Sequence, residues 1–242
     1  MLRSVYALAF ASSLLACSSP SSQPDPSAET TSAATTSGGE LAAGRTAPPP
    51  APPAIRTTTP VPVPQPAVAR EDLSDSAQLV WTSVEETVAL RPPEPPAATT
   101  MQAANEWARG PWSAWINTRT ERTREVVAHC EGVQETPPYE RALAAALLGY
   151  AIEDFVAVVR GAPVPEPIAI DPELLEVYVG ALNEQVLPLA VQAVTYYAYC
   201  QRRLEALGDE SPWLPWRAYC VQRGQEIIET YELSAPAPQP PE

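Results

Sequence analysis

Lysine is absent from this chain, histidine occurs once, and phenylalanine and methionine occur twice each in 242 residues. With His129 as the sole imidazole, a metal centre built on two or more histidines is excluded, and a histidine base has one candidate. All basic charge sits on 15 arginines facing 29 acids, for a formal net charge of −14. A surface of that sign repels phosphate, which excludes nucleic-acid binding as a first reading. No GxSxG, HExxH, P-loop or dinucleotide fingerprint occurs, so the sequence points to no enzyme chemistry and to no metal or cofactor.

What is abundant is proline, 30 residues in all, of which twelve precede residue 71 and four follow Leu233. Residues 18–70 hold 37 Ser, Thr, Pro or Ala among 53, with no aromatic. So little apolar surface cannot offset the entropy of ordering, and the segment is expected to be a disordered linker. As a coil it reaches on the order of 40 Å. Its PxxP-like spacing reads as a spacer and not as a ligand. The short tail 234–242 is expected to behave likewise.

Ahead of the linker, MLRSVYALAFASSLLACSS places Arg3 before an apolar run from Val5 to Ala16. The run is too short to span a bilayer permanently and reads as a secretory signal peptide over residues 1–16. Its end, Leu14-Leu15-Ala16-Cys17, resembles the lipobox of bacterial lipoprotein precursors, with Leu15 the less usual occupant of its place. The resemblance implies cleavage before Cys17, diacylglycerol on its thiol and an acylated amino group. Two or more chains hold a protein on a membrane where one does not. Ser18, in place of Asp, resembles the sorting pattern that favours the outer membrane, on its periplasmic face or exposed at the surface.

From Glu71 to Leu233 the pattern is helical. Leu73, Ala77, Val80, Trp81, Val84 and Val88 recur at three and four residues and stop before Arg91-Pro92-Pro93. Further helices are expected at about 100–109, about 111–131 after a break at Gly110-Pro111, and from Pro137 to about Arg160. That last stretch is nearly continuous apolar sequence interrupted by Glu153 and Asp154, which suits a buried central helix. Asp171-Pro172-Glu173 opens another, Pro188 should kink or break it, and its continuation ends at Gly208. A final helix runs from about Pro212 to Leu233. The expected fold is all-α: an antiparallel bundle or array of six or seven helices over 71–233.

Two stretches echo each other, Pro111-Trp112-Ser-Ala-Trp115 and Pro212-Trp213-Leu-Pro-Trp216, with Arg122-x-x-Glu125 matched by Arg223-x-x-Glu226. The spacing faintly resembles helical-hairpin arrays of the tetratricopeptide class, whose short repeat signature does not recur. Proline and tryptophan as a plain helix start explain the same residues.

Cys130, Cys200 and Cys220 remain once Cys17 is set aside. Cys200 and Cys220 lie ten residues either side of Glu210, in a stretch with a turn at Gly208 to Ser211, so an antiparallel hairpin brings them to one height. With no CxxC motif, a structural disulfide is expected, with Cα atoms about 4.4 to 6.8 Å apart. Cys130 is then the odd, buried and inert thiol. Glu153 and Asp154 are neighbours on one helix and point apart, which argues against an acid/base pair. Tyr196, Tyr199, Trp213 and Trp216 are candidate ligand-binding aromatics, although core packing at a hairpin accounts for most of that cluster.

These features point to a lipid-anchored protein of the bacterial cell envelope that presents an acidic helical interaction or scaffold module to a protein partner. The alternative class is a binder of cell-wall glycan or a small ligand through the aromatic cluster.

Overall fold

Helical periodicity from residue 75 onward is realised in seven α-helices, and no strand occurs among the described residues. The structure is a computed structural model that describes residues 55–96 and 100–233. The expected signal peptide, Cys17, the first part of the expected linker and the tail 234–242 lie outside the described residues. Helix α1 spans Asp75–Ala89, α2 Met101–Trp107, α3 Ser113–Glu131, α4 Pro138–Arg160, the single turn α5 Glu166–Ala169, α6 Pro172–Glu205 and α7 Leu214–Tyr231.

The expected cap at Asp171 is in place, its carboxylate accepting from the Glu173 and Leu174 amides. Two further caps occur: the Ser74 hydroxyl accepts from the Ala77 amide at the start of α1, and Thr100 does the same for Ala103. On α1, Ala77, Val80, Trp81, Val84 and Thr87 form the buried stripe. Helix α4 is buried on almost every face and is packed by α1, α3 and α6, while α7 packs on α6. Two helices, α4 and α6, are long and apolar enough to cross a membrane by length and composition. For α4, burial within the protein identifies a core helix; α6 is largely uncovered in its apolar window.

Three expectations need correction. Pro188 neither ends nor divides α6, which runs 34 residues through it. A proline forfeits one backbone hydrogen bond, but the burial of Val186 and Ala190 on either side holds the helix together. Gly110-Pro111 likewise does not break the chain. A π turn over Ala108–Trp112 joins α2 to α3, with the Ser113 amide reaching back five residues to the Ala108 carbonyl. The turn is covered by a row of rings: Trp107 on Trp112 at 4.9 Å, Trp112 by Trp115 at 5.0 Å, and Trp115 edge-on to Phe155 at 5.7 Å.

The third correction concerns where the domain starts. A boundary at residue 71 leaves out packed chain, because the segment from Arg56 to Gln65 is hydrogen-bonded to α4 and α7, with Thr58 only 3 % exposed. Composition failed here for a physical reason: the segment is held chiefly through its backbone carbonyls, which a count of apolar side chains does not register.

Candidate functional site

The final helix carries polar-headed side chains at positions 216, 219, 223 and 231, spaced to share one face. Along that face runs the segment Thr57 to Gln65. Trp216 Nε1 donates to the Gln65 carbonyl at 2.9 Å, the Tyr219 hydroxyl to Val61 O at 2.8 Å, and Arg223 Nη2 to Thr59 O at 3.2 Å. The Thr58 amide donates to the Tyr231 hydroxyl at 3.3 Å. From α4, Arg160 donates through Nε and Nη2 to the Arg56 carbonyl at 3.1 and 3.0 Å, and the Thr57 hydroxyl donates to Ala157 O at 3.3 Å.

The spacing of these contacts suits an extended proline-rich segment. Prolines at 60, 62, 64 and 66 fix φ and bias the residues before them toward polyproline II. Fifteen residues of helix from Trp216 to Tyr231 rise about 22 Å. The seven residues from Thr58 to Gln65 cover about the same length as polyproline II. Because proline has no N–H, carbonyl oxygens dominate the polar backbone of such a segment, and α7 presents the donors to meet them.

Beneath the groove the donors are fixed by a buried network. Glu153 on α4 accepts along one edge of the Arg223 guanidinium, from Nε at 3.2 Å and from Nη2, and from the Tyr197 hydroxyl at 2.8 Å. The Tyr219 hydroxyl lies 3.5 Å from that of Tyr197, and Arg223 also bonds Glu226. Burial pushes the phenols of Tyr197 and Tyr219 up, so both stay protonated. Burial alone would lower the Arg223 guanidinium; the hydrogen bond and charge of Glu153 outweigh it and raise it. The groove therefore keeps its donors and its charge across the physiological range.

The second acid of the pair, Asp154, turns away from Glu153 to meet Arg119 of α3 at 2.7 Å. Arg119 also donates to the Thr87 and Ala151 carbonyls. Burial raises Asp154, opposed by the Arg119 charge, and burial lowers Arg119. Both acids of α4 thus serve packing contacts with arginines. The polar middle of α3 is helical because Arg119 and Thr123 are buried in this way, with Thr123 donating to the Arg119 carbonyl.

Cys200 and Cys220 form a disulfide with Cα atoms 6.3 Å apart, inside the expected range. The turn between their helices uses Gly208 at φ 83°, a left-handed conformation that favours glycine. Among the described residues Cys130 is the free cysteine; it is half-buried where full enclosure was expected, and desolvation still pushes its thiol up to about 12. His129 is satisfied by Ser83, whose hydroxyl lies 2.8 Å from Nδ1.

The four candidate aromatics divide into two groups. Trp216 is buried in the groove wall, and Trp213 is buried with its ring stacked on Tyr139 at 4.6 Å. Tyr199 instead accepts from Arg203 Nε at 2.8 Å, with that guanidinium 5.2 Å over its ring, and Arg203 continues to Glu135. Tyr196 sits near Cys130 and Glu131, half-buried, its phenol raised by burial. The residues missed from sequence were Arg223, Tyr231 and Arg160; the sign was a stripe of side chains with apolar bodies and donor heads in a chain that also holds a proline-rich run.

The echoed stretches occupy different settings. Arg122 pairs with Glu125 at the surface, whereas Arg223 is buried, and Pro111 lies within a π turn while α7 takes Pro215 in its first turn. No family model, no curated protein and no solved structure matches this chain.

Proposed function

We propose that this chain is a lipid-anchored protein of the bacterial cell envelope whose helical domain is a protein-interaction module, held at Cys17 on the outer membrane by the lipid that the lipobox-like sequence implies. The observation that carries the interaction reading is the N-terminal half of α6. Helix α6 has 34 residues against 23 for α4 and 18 for α7. Tyr197 meets Gly149 and Glu153 of α4, so the antiparallel α4 runs out near residue 186 and leaves about four turns of α6 beyond it.

That arm exposes Val177, 65 % exposed, beside the half-buried Leu182, and Ile170, 76 % exposed, lies just ahead of its first turn. Between Arg160 and Arg202 the sequence carries five acids and no base. Apolar surface rimmed by one sign of charge suits a cationic amphipathic helix, since a second copy of the arm or an anionic membrane would set like charges together.

The test is site-specific photo-crosslinking in intact cells from position 177, with exposed Leu79 on α1 as control. The expected product is an adduct with one discrete protein from position 177 alone, abolished by Ile170→Glu. Adducts with lipid only, or with a second copy of this chain, would overturn the reading.

A further inference from the structure

The segment that fills the α7 groove has a second version in the chain. Residues 61–66 read Val-Pro-Val-Pro-Gln-Pro and residues 235–240 read Ala-Pro-Ala-Pro-Gln-Pro. The two differ only at the first and third positions, where one short aliphatic side chain replaces another. In the first version, the groove grips the carbonyls of position one, Val61, and position five, Gln65. Position one is also 44 % exposed, so the change from valine to alanine there removes little contact.

The contacts select conformation and carbonyl spacing more than side chains. Tyr219 and Trp216 each donate to a main-chain oxygen, and any sequence that holds the same extended backbone offers those oxygens at the same places. Alternating prolines pre-set that backbone and lower the entropy cost of binding. The shared pattern x-Pro-x-Pro-Gln-Pro meets this requirement in both versions.

A tail from the same copy falls short of the groove. Tyr231 and Tyr219 are twelve helical residues apart, about 18 Å, whereas the four residues from Tyr231 to Ala235 cover about 12 Å even as polyproline II. A tail donated by a second copy has no such limit.

We propose that the α7 groove is a receptor for polyproline segments of the pattern x-Pro-x-Pro-Gln-Pro, with residues 61–66 as its resident ligand and residues 235–240 of a second copy as its exchange ligand. The proposal does not depend on the membrane anchor or on the α6 arm. The resident ligand is covalently tethered and holds the groove at high effective concentration, so exchange follows its withdrawal. Withdrawal frees a donor row that the second copy's tail then fills, and the domain acquires a concentration-dependent self-association.

The experiment uses the full chain with Trp indoles observed by NMR, the Trp216 signal being assigned by its loss in Trp216→Phe. The probe is a synthetic peptide of residues 234–242. In a chain whose residues 61–66 are replaced by alternating Gly and Ser, the peptide should shift the Trp216 indole saturably. The shift should require about tenfold more of a peptide with Pro236, Pro238 and Pro240 changed to alanine, or of the original peptide against Tyr219→Phe. The same Gly/Ser chain should self-associate in sedimentation, and its truncation after Leu233 should remain monomeric.

A helical, folded Gly/Ser chain whose Trp216 indole does not move at ~1 mM peptide, or moves equally with the proline-free peptide, would overturn the receptor. Monomers with and without the tail would overturn the second copy as donor. If the Gly/Ser chain does not fold, a chain with a weakened resident ligand, Pro62→Ala with Pro64→Ala, decides: a Trp216 shift with the peptide, absent with the proline-free peptide, supports the receptor, and no shift at ~1 mM peptide overturns it.

Discussion

Glu153 of α4 and Arg223 of α7 form an ion pair in which the side chains are 0 % and 1 % exposed. The pair ties two helices that do not follow each other in sequence, and the same guanidinium reaches out to the Thr59 carbonyl. One charged contact thus links the core to the proline-rich strap. Removing Glu153 leaves Arg223 buried with only the half-buried Glu226 as its charged partner. Glu153→Leu should cost about 3 to 5 kcal/mol in urea unfolding, and the double change with Arg223→Met should recover most of it. A loss below about 1 kcal/mol would mean that the pair is solvated in solution.

Gly149 tests the fit of α4 against α6. A Cβ there would stand 3.1 Å from the Tyr197 ring, and that ring cannot retreat because its hydroxyl is held by Glu153. Gly149→Ala should therefore destabilise by about 1 to 3 kcal/mol, despite alanine's better helix propensity. Equal or greater stability in thermal unfolding would contradict this packing.

Cys130 should be unreactive while the chain is folded. Its thiol is raised by burial from 9.0 to about 12, and it donates to the Ala144 carbonyl at 3.6 Å. By linkage, a folded value above the unfolded one contributes stability in full below about pH 9 that is lost as pH rises toward 12. Iodoacetamide at pH 8 should modify Cys130 far more slowly in the native chain than in urea. Equal rates would place the thiol at an open surface.

The Cys200–Cys220 disulfide closes a loop of 20 residues. On the chain-entropy model its reduction should cost about 3 kcal/mol and lower the melting temperature while the far-UV helical signal persists. Collapse of the helical signal on reduction at 25 °C would show that the stripes of α6 and α7 do not hold the hairpin by themselves.

Much of this architecture was legible from period and punctuation. Val80, Trp81 and Val84 marked α1, and the apolar run through Ala142 to Val159 marked the central helix. The placement of Cys200 and Cys220 about a glycine turn fixed the last hairpin. Two prolines misled, because a proline's local cost is set by sequence while its remedy is tertiary. Val186 and Ala190 are buried around Pro188, and tryptophans stack over Pro111. The buried arginines Arg119 and Arg223 were illegible for the same reason, since an arginine is interior only when a distant acid and carbonyls meet it.

The strap was the largest omission, and Thr58 shows why. Its side chain is buried, yet its Oγ1 has no hydrogen-bond partner among the described residues, while its amide meets Tyr231. Composition counts side chains, and here the backbone provides most of the polar contacts.

The account rests most heavily on the strap being part of the folded domain, and urea unfolding of chains beginning at residue 55 and at residue 71 tests it directly. The strap's carbonyls leave Trp216, Tyr219, Arg223 and Arg160 to water when it is removed, so the shorter chain should be less stable by at least about 2 kcal/mol, with Trp fluorescence altered. Superimposable unfolding curves would contradict the account and return residues 55–70 to the role of a plain spacer.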